Sequence, residues 1–337
     1  MNKFKWYEAA SVEDAIKNTN TTVGEELYTP TGKAAIIKSG GIDVLDMIKE
    51  GLIEPEVVVN IKNIPGMSGI KMDDNALHVG ANNTLSEVVE NQEVKNIYPA
   101  LYEAIIHAAT PQLRNTSTIA GNIAQRTRCW YFRSADHPCL RKGGDRCFAR
   151  HSETGQNENH SLFENDTCVS VHSSSISTAL MAYNAKLVIK TATGKEKEVT
   201  MDEFFVTPAE DISQENILKN QEIITSVIIP KPNNNTRVYY HKQVQRESYD
   251  WSIGDVAIVA EMDGNKCKSV RMVLGAAAPI PYRVTAVEEY LAGKRINETV
   301  AKKAGEISME AARPLSQNNY KVPLFKNIIR HGLLKLA

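Results

Sequence analysis

No apolar run in this sequence approaches the ~18 residues that a bilayer-spanning helix needs, so no membrane association is expected. The opening residues, Met1-Asn-Lys-Phe-Lys-Trp-Tyr-Glu8, lack the apolar segment of a secretory leader, and a cytoplasmic, reducing setting is the expectation. Neither sign of charge is in excess. Thirty-nine Lys and Arg face 40 Asp and Glu, for a formal charge of −1, which removes the electrostatic reason to expect nucleic acid as a partner. Internal repeats, a Ser/His/Asp arrangement, paired carboxylates and a zinc-protease helix are all missing. What remains is the composition of an ordinary globular protein, 42% apolar and 23% charged, and 337 residues are enough for two domains.

Cysteine is scarce as well, five in all, but its distribution is uneven. Cys129, Cys139, Cys147 and Cys168 fall within one forty-residue stretch. Structural thiols scatter over a core and do not gather in one polar segment. Converging thiolates are soft ligands that suit zinc or an iron–sulfur cluster, and in a reducing compartment clustered cysteines are metal ligands more often than disulfides. No close Cys-x-x-Cys pair favours a zinc knuckle, while His137, His151 and His160 nearby keep zinc open. Cys267 lies on an expected strand and reads as a buried, inert thiol.

Periodicity and turn residues divide the rest. Ser11-Val-Glu-Asp14 starts a helix after an opening turn, and Ala34–Ile37 is a short strand followed by Lys38-Ser-Gly-Gly41 and a helix through Val44, Leu45 and Ile48. Glu56–Ile61 and Leu77–Gly80 read as strands, and Thr84 and Pro99 as helix starts. The polar stretch 126–168 lacks periodicity and reads as an insertion. After it come a helix at Ser177–Tyr183, a hairpin of Lys186–Lys190 with Glu196–Thr200, and a strand at Glu222–Ile229. Pro230–Thr236 is the best linker candidate. Beyond it, Val238–Gln243, Val256–Met262 and Ser269–Leu274 form an antiparallel sheet, with helices at Thr285–Gly293, Ala301–Ala312 and Leu324–Leu336. The fold class is α+β.

Two small-residue turns carry the chemistry. Ser39-Gly-Gly-Ile-Asp43 sits between a strand and a helix, where glycine lets backbone approach a ligand and helix-start N–H groups can hold phosphate. Thr116-Ser-Thr-Ile-Ala-Gly-Asn122 places hydroxyls beside a glycine. Each is weak alone; together they offer a diphosphate donors from two sides.

These turns, with Gly80-Ala-Asn-Asn-Thr-Leu-Ser-Glu87 and Thr110-Pro-Gln-Leu-Arg-Asn115, resemble the successive motifs of the FAD-binding subunits of molybdenum hydroxylases, the xanthine dehydrogenase and carbon monoxide dehydrogenase group. Arg246-Glu-Ser-Tyr-Asp250 and Leu274-Gly-Ala-Ala-Ala-Pro-Ile-Pro-Tyr-Arg283 resemble that group's second-domain signatures, so the likeness runs over nearly the whole chain. It implies a two-subdomain FAD-binding domain of the p-cresol methylhydroxylase/vanillyl-alcohol oxidase type over 1–230, then a C-terminal domain of the carbon monoxide dehydrogenase flavoprotein type over 236–337, an antiparallel sheet with helices. Ile37, Lys38, Ser39, Gly40, Gly41, Ile42 and Asp43 would wrap the FAD diphosphate. Ala109, Thr110, Thr118, Gly121 and Asn122 would complete the cradle, and Lys242 would stand near the isoalloxazine. The resemblance implies an acidic residue, carried by many relatives, before the helix near Ser177, where this chain has Ser173-Ser-Ser-Ile176.

The cysteine insertion looks like that of the 4-hydroxybenzoyl-CoA reductase beta subunit. That likeness implies a [4Fe-4S] cluster on Cys129, Cys139, Cys147 and Cys168. It also implies two partner subunits, a small one with [2Fe-2S] clusters and a large one with the molybdenum cofactor. In reductase-type relatives a ferredoxin-like donor feeds the cluster, and in dehydrogenase-type relatives electrons leave by the flavin toward NAD or another acceptor. Trp251 and Tyr249 are candidates to stack near the flavin or to pack between domains.

Overall fold

The β-branched run Val57–Asn60 forms the middle of a three-stranded parallel sheet, with Lys5–Glu8 on one side and Ala35–Lys38 on the other. A strand paired on both edges and covered on both faces is expected to be continuously apolar, and Val58 and Val59 are fully buried. The structure is a computed structural model that describes residues 2–151 and 154–337. All three strands end on one rung, Glu8–Asn60–Lys38. Lys38 Nζ donates to Asn60 Oδ1 at 3.0 Å, and Asn60 Nδ2 donates to the Glu8 carboxylate at 2.8 and 2.9 Å. Directly past that rung the chain turns at Ser39-Gly40-Gly41 into the helix Ile42–Lys49. Lys5–Glu8 is a strand where the sequence suggested an opening turn. It is an edge strand exposed along most of its length, so no inward/outward alternation marks it.

The second unit is a five-stranded sheet in the order Ile70–Met72, Ala76–Gly80, Ile223–Pro230, Lys186–Lys190, Glu196–Thr200, with every neighbour antiparallel. The long strand Ile223–Pro230 lies between partners far away in sequence. Helices Leu85–Glu90, Pro99–Ile106 and Ser175–Ala182 belong to this unit, and Leu101, Ile105, Ile176 and Leu180 share one buried cluster with Leu77, Val79, Leu187, Val227 and Ile229 of the sheet.

The third unit is a four-stranded antiparallel sheet ordered Tyr282–Arg283, Lys266–Gly275, Gly254–Asp263, Thr236–Gln243, backed by helices Thr285–Leu291, Glu298–Ile307 and Lys321–Leu336. Gly332 lets the last helix lie close on the sheet, since a Cβ there would stand 2.5 Å from the Tyr239 ring.

Among its described residues, the stretch between Arg126 and Cys168 holds one short 3-10 turn, Leu140–Lys142, and one α turn, Phe148–His151. Despite its polarity, the insertion is packed into the protein. Phe132 and Cys139 pack with Ile36, Met47 and Val58 against the parallel sheet, while Leu162 and Phe163 enter the core of the third unit. Among the described residues no helix is long and apolar enough to cross a membrane.

Candidate functional site

The C-terminal ends of the parallel strands open onto a cleft of about 530 Å3, the position where open α/β sheets bind ligands. One wall is the turn Ser39-Gly40-Gly41 and the start of helix Ile42–Lys49; the other is Ser117–Asn122. The walls are fastened by small side chains. Ser39 Oγ donates to Asn82 Oδ1 at 2.8 Å and lies 3.0 Å from Thr118 Oγ1. Asn82 in turn donates to the carbonyls of Ile61 and Lys62. The two turns approach backbone to backbone, because a Cβ on Gly40 would fall 2.4 Å from the Thr116 carbonyl oxygen. Gly41 has φ +87°, a left-handed conformation that glycine takes without strain, and no side chain caps the helix that begins after it. That helix start is therefore available to an anionic ligand.

Of the residues expected around the flavin, Ile37, Lys38, Ser39, Gly40, Gly41, Ile42, Asp43, Ala109, Thr118, Gly121, Asn122 and Lys242 all line this cleft. Thr110 does not; its hydroxyl instead accepts from Leu113 N at 3.3 Å and caps the turn Pro111–Arg114. Lys242 is pinned by two carbonyls, donating to His107 O at 2.6 Å and Asp250 O at 2.8 Å, and burial lowers its pKa. Burial likewise lowers that of Lys38, assisted by Lys62. Ser173 and Ser175 line the cleft, and Ser174 Oγ donates to Asn122 Oδ1 at 2.5 Å. Trp251 lines the cleft while 54% exposed, with the Arg128 guanidinium 5.2 Å from its ring centroid. Tyr249 is exposed and lies over Arg114.

Sequence reasoning missed what Asp43 does. Its carboxylate accepts from Arg126 N at 2.9 Å, Arg128 Nη2 at 3.1 Å and Arg133 Nη2 at 2.5 Å. Arg128 and Arg133 also reach Asp46 one turn on, at 3.1 and 3.3 Å. The acidic pair at i and i+3 on a helix, and the arginines after residue 125, were visible but had no pairing signal.

Those arginines open the cysteine segment. A second cavity, about 20 Å3, is lined by Cys129, Cys139, Cys147 and Cys168 together with Tyr131, Phe132, Leu140, Arg141 and Phe148. All four thiols are free. The tight loop between Cys139 and Cys147 depends on glycine, since a Cβ on Gly144 would meet the Pro138 carbonyl oxygen at 1.8 Å. Burial, with Cys168 nearby, pushes the Cys129 thiol up to about 12, and burial raises those of Cys139 and Cys147. Two nitrogens face the sulfurs: Arg141 Nε donates to Cys168 Sγ at 3.3 Å, and His160 Nε2 lies 3.3 Å from Cys129 Sγ. Burial works against the Arg141 charge, but Cys168 and Glu215 outweigh it and its pKa is raised. His160 is buried, not solvated as a loop histidine would be, and burial followed by Lys321 lowers it to about 4. His151 is exposed, and His137 stands edge-on to Tyr131 and Phe148. The four thiols line one cavity, yet among the described residues no group of three or more His, Cys, Asp or Glu is arranged to hold a metal ion. Cys267 is buried on the strand Lys266–Gly275, its thiol pushed up to about 11 by burial.

Comparison with known proteins agrees with this geometry. Residues 2–232 match the FAD binding domain in molybdopterin dehydrogenase, and 239–336 the carbon monoxide dehydrogenase flavoprotein C-terminal domain. The chain is 27% identical over 318 residues to the FAD-binding subunit of an Escherichia coli aldehyde oxidoreductase, covering 93% of this chain and 95% of that one. It is 22% identical to the medium chain of carbon monoxide dehydrogenase from Hydrogenophaga pseudoflava, covering 98% and 96%. A solved structure of the carbon monoxide dehydrogenase from that organism superposes with a TM-score of 0.73 at 22% identity, covering 99% of this chain and 96% of that one. Quinoline 2-oxidoreductase from Pseudomonas putida 86 gives 0.72 at 20%, covering 99% and 97%.

Proposed function

The chain belongs to the family of FAD-binding domains of molybdopterin dehydrogenases and is an oxidoreductase subunit, and on that premise we propose that it carries both FAD and a [4Fe-4S] cluster and transfers electrons within a molybdenum-hydroxylase-type complex. The observation that carries this reading is adjacency. The Ser39–Asp43 turn that walls the cleft is bonded through Asp43 to the segment whose four cysteines wall the second cavity.

The cleft's volume lies within the ~300–1,000 Å3 of small-molecule sites. Its uncapped helix start, and backbone kept bare by Gly40 and Gly41, suit a diphosphate. Ser39, Thr118 and Asn82 hold the two turns at fixed separation, and Lys242 supplies a fixed cation at the rim. The chain's reading as a two-subdomain FAD domain of the p-cresol methylhydroxylase/vanillyl-alcohol oxidase type followed by a smaller domain, divided between residues 230 and 236, rests on the same residues.

For the cluster, the fit lies in four free thiols around one cavity and a buried guanidinium donating to one of them, a contact that suits thiolate better than thiol. Zinc–thiolate bonds of ~2.3 Å would hold sulfurs only ~3.8 Å apart. A cubane is ligated at its iron corners, so its thiolates stand farther apart than that. FAD exchanges electrons in pairs or singly and the cluster one at a time, so the two together would join a two-electron reactant to a one-electron chain. Relatives named as medium chains support an assembly with a small and a large subunit. On this reading the small one carries [2Fe-2S] clusters, the large one carries the molybdenum cofactor, and a ferredoxin-like protein or NAD is the external partner.

The test is reciprocal loss. The purified protein should show flavin absorbance with iron and acid-labile sulfide. Cys139→Ser should lose most of the iron and keep the flavin. Gly121→Val should do the reverse, because a Cβ there already stands 2.9 Å from Thr118 Oγ1 and crowds the cradle. A colourless protein would end the reading, and joint loss of both cofactors from either variant would end the claim of separate sites.

A further inference from the structure

Two buried nitrogen-bearing side chains, His160 and Arg141, stand against the cysteine sulfurs. His160 is 3% exposed, with Nε2 3.3 Å from Cys129 Sγ, while its Nδ1 has no hydrogen-bond partner among the described residues. The ring is therefore not placed by a polar network of its own. It is placed by its backbone, whose carbonyl accepts from Lys321 Nζ and Asn318 Nδ2 at 3.0 Å each, and by Trp130, edge-on with centroids 5.2 Å apart. Arg141 is 1% exposed. Its Nε donates to Cys168 Sγ, while Nη1 is taken by Gln214 O at 3.1 Å and by Glu215 at 3.3 Å. The fork thus has one arm on a structural carboxylate and the other on a sulfur.

Once a sulfur is a thiolate it can only accept. Against Cys129 the imidazole then makes a hydrogen bond only as the Nε2–H tautomer. Hydrogen bonds to ligand sulfur disperse negative charge and favour the more negative, reduced state of a cluster, so each donor raises its potential.

We propose that His160 and Arg141 set the reduction potential of the [4Fe-4S] cluster, His160 by donating from Nε2 to Cys129 Sγ and Arg141 by donating from Nε to Cys168 Sγ. This rests on the reading that the four cysteines hold that cluster. Both residues act through the ligands and touch no substrate. They enter from opposite sides in sequence: Arg141 belongs to the loop that carries Cys139 and Cys147, and His160 is held by the start of the C-terminal helix.

The experiment uses the full chain in its assembled complex. His160→Phe keeps a ring against Trp130 and removes the donor; His160→Gln keeps an N–H. Iron, sulfide and flavin are assayed first, then the cluster is titrated with EPR detection. His160→Phe should retain iron and flavin and move the midpoint to lower potential. At the parent's midpoint its reduced-to-oxidised ratio should fall about tenfold, which is ~59 mV for one electron. His160→Gln should recover most of that shift. Pulsed EPR of the reduced parent, labelled with [15N]histidine or [15N]arginine, should show one weakly coupled nitrogen in each case, and this measurement needs no variant to fold. A parent complex that binds flavin but holds no iron beyond that of its [2Fe-2S] subunit would overturn the cluster reading itself. An iron-loaded His160→Phe with an unmoved midpoint, or a parent lacking the histidine coupling, would overturn only the role of His160, and a missing arginine coupling only that of Arg141.

Discussion

Lys321 has no carboxylate within ion-pairing reach among the described residues; its ammonium lies fully buried and donates to the carbonyls of His160 at 3.0 Å and Ala276 at 2.6 Å. Burial pulls its pKa down to about 7, with Asp255 opposing. In the unfolded chain the same group keeps its proton to ~10.4. Between those values the unfolded state binds more protons than the folded one, so stability rises with pH across that window and is flat with respect to this group below about 7. Lys321→Met removes the titration and leaves two carbonyls without their donor, at ~1–3 kcal/mol for each group left buried and unpaired. Urea unfolding near neutral pH and about two units above it should show the gap between parent and variant widening by ~2 kcal/mol in the parent's favour. A constant gap would mean that Lys321 stays charged in the fold. Nothing in the sequence marks Lys321: it sits at a helix start, where a lysine is ordinarily solvated.

At the scale of elements, legibility follows from whether an element is defined by its own residues or by its partners. The hairpin Lys186–Lys190 with Glu196–Thr200 and the antiparallel strands Gly254–Asp263 and Lys266–Gly275 were readable because turn glycines and β-branched runs mark them locally. So was the Ser39-Gly40-Gly41 turn, whose glycines answer a close backbone approach and a left-handed φ. The edge strand Lys5–Glu8 and the wedge-like burial of the cysteine segment were not, since both are set by what lies opposite. The bond between helix Ile42–Lys49 and that segment is of the same kind. Asp43 and Asp46 are shared by Arg128 and Arg133 in a partly buried square of charge. Removing one member takes one of two ion pairs from each of its two partners. Asp43→Asn and Arg133→Met should therefore each destabilise the protein, and the double variant should cost less than their sum, with a coupling energy of ~1–3 kcal/mol by urea unfolding. Additivity within ~0.5 kcal/mol would reduce the square to surface decoration.

For the whole molecule, the question is whether the C-terminal unit is a tethered neighbour or part of one body. Interfaces between domains of one chain are often loose enough for relative motion. Here the cysteine segment is threaded into the third unit: Leu162 and Phe163 donate from their backbones to Ala277 O at 2.7 and 3.1 Å, and Phe163 stacks on Tyr282 with centroids 4.1 Å apart. Arg313 N returns a bond to Leu162 O at 2.7 Å, and His172 N bonds Ala278 O at 2.9 Å. From the second unit, Asp202 accepts from Arg271 Nη2 at 2.5 Å across the same seam. By contrast, the covalent connection is slight, an exposed run Asn233–Asn235 between two strands. A protease site inserted after Asn233 should be tolerated there. After cleavage the two fragments should leave a sizing column together, still yellow, and part only in denaturant. A C-terminal fragment eluting alone from flavin-loaded protein would show that burial of Leu162 and Phe163 does not hold the seam.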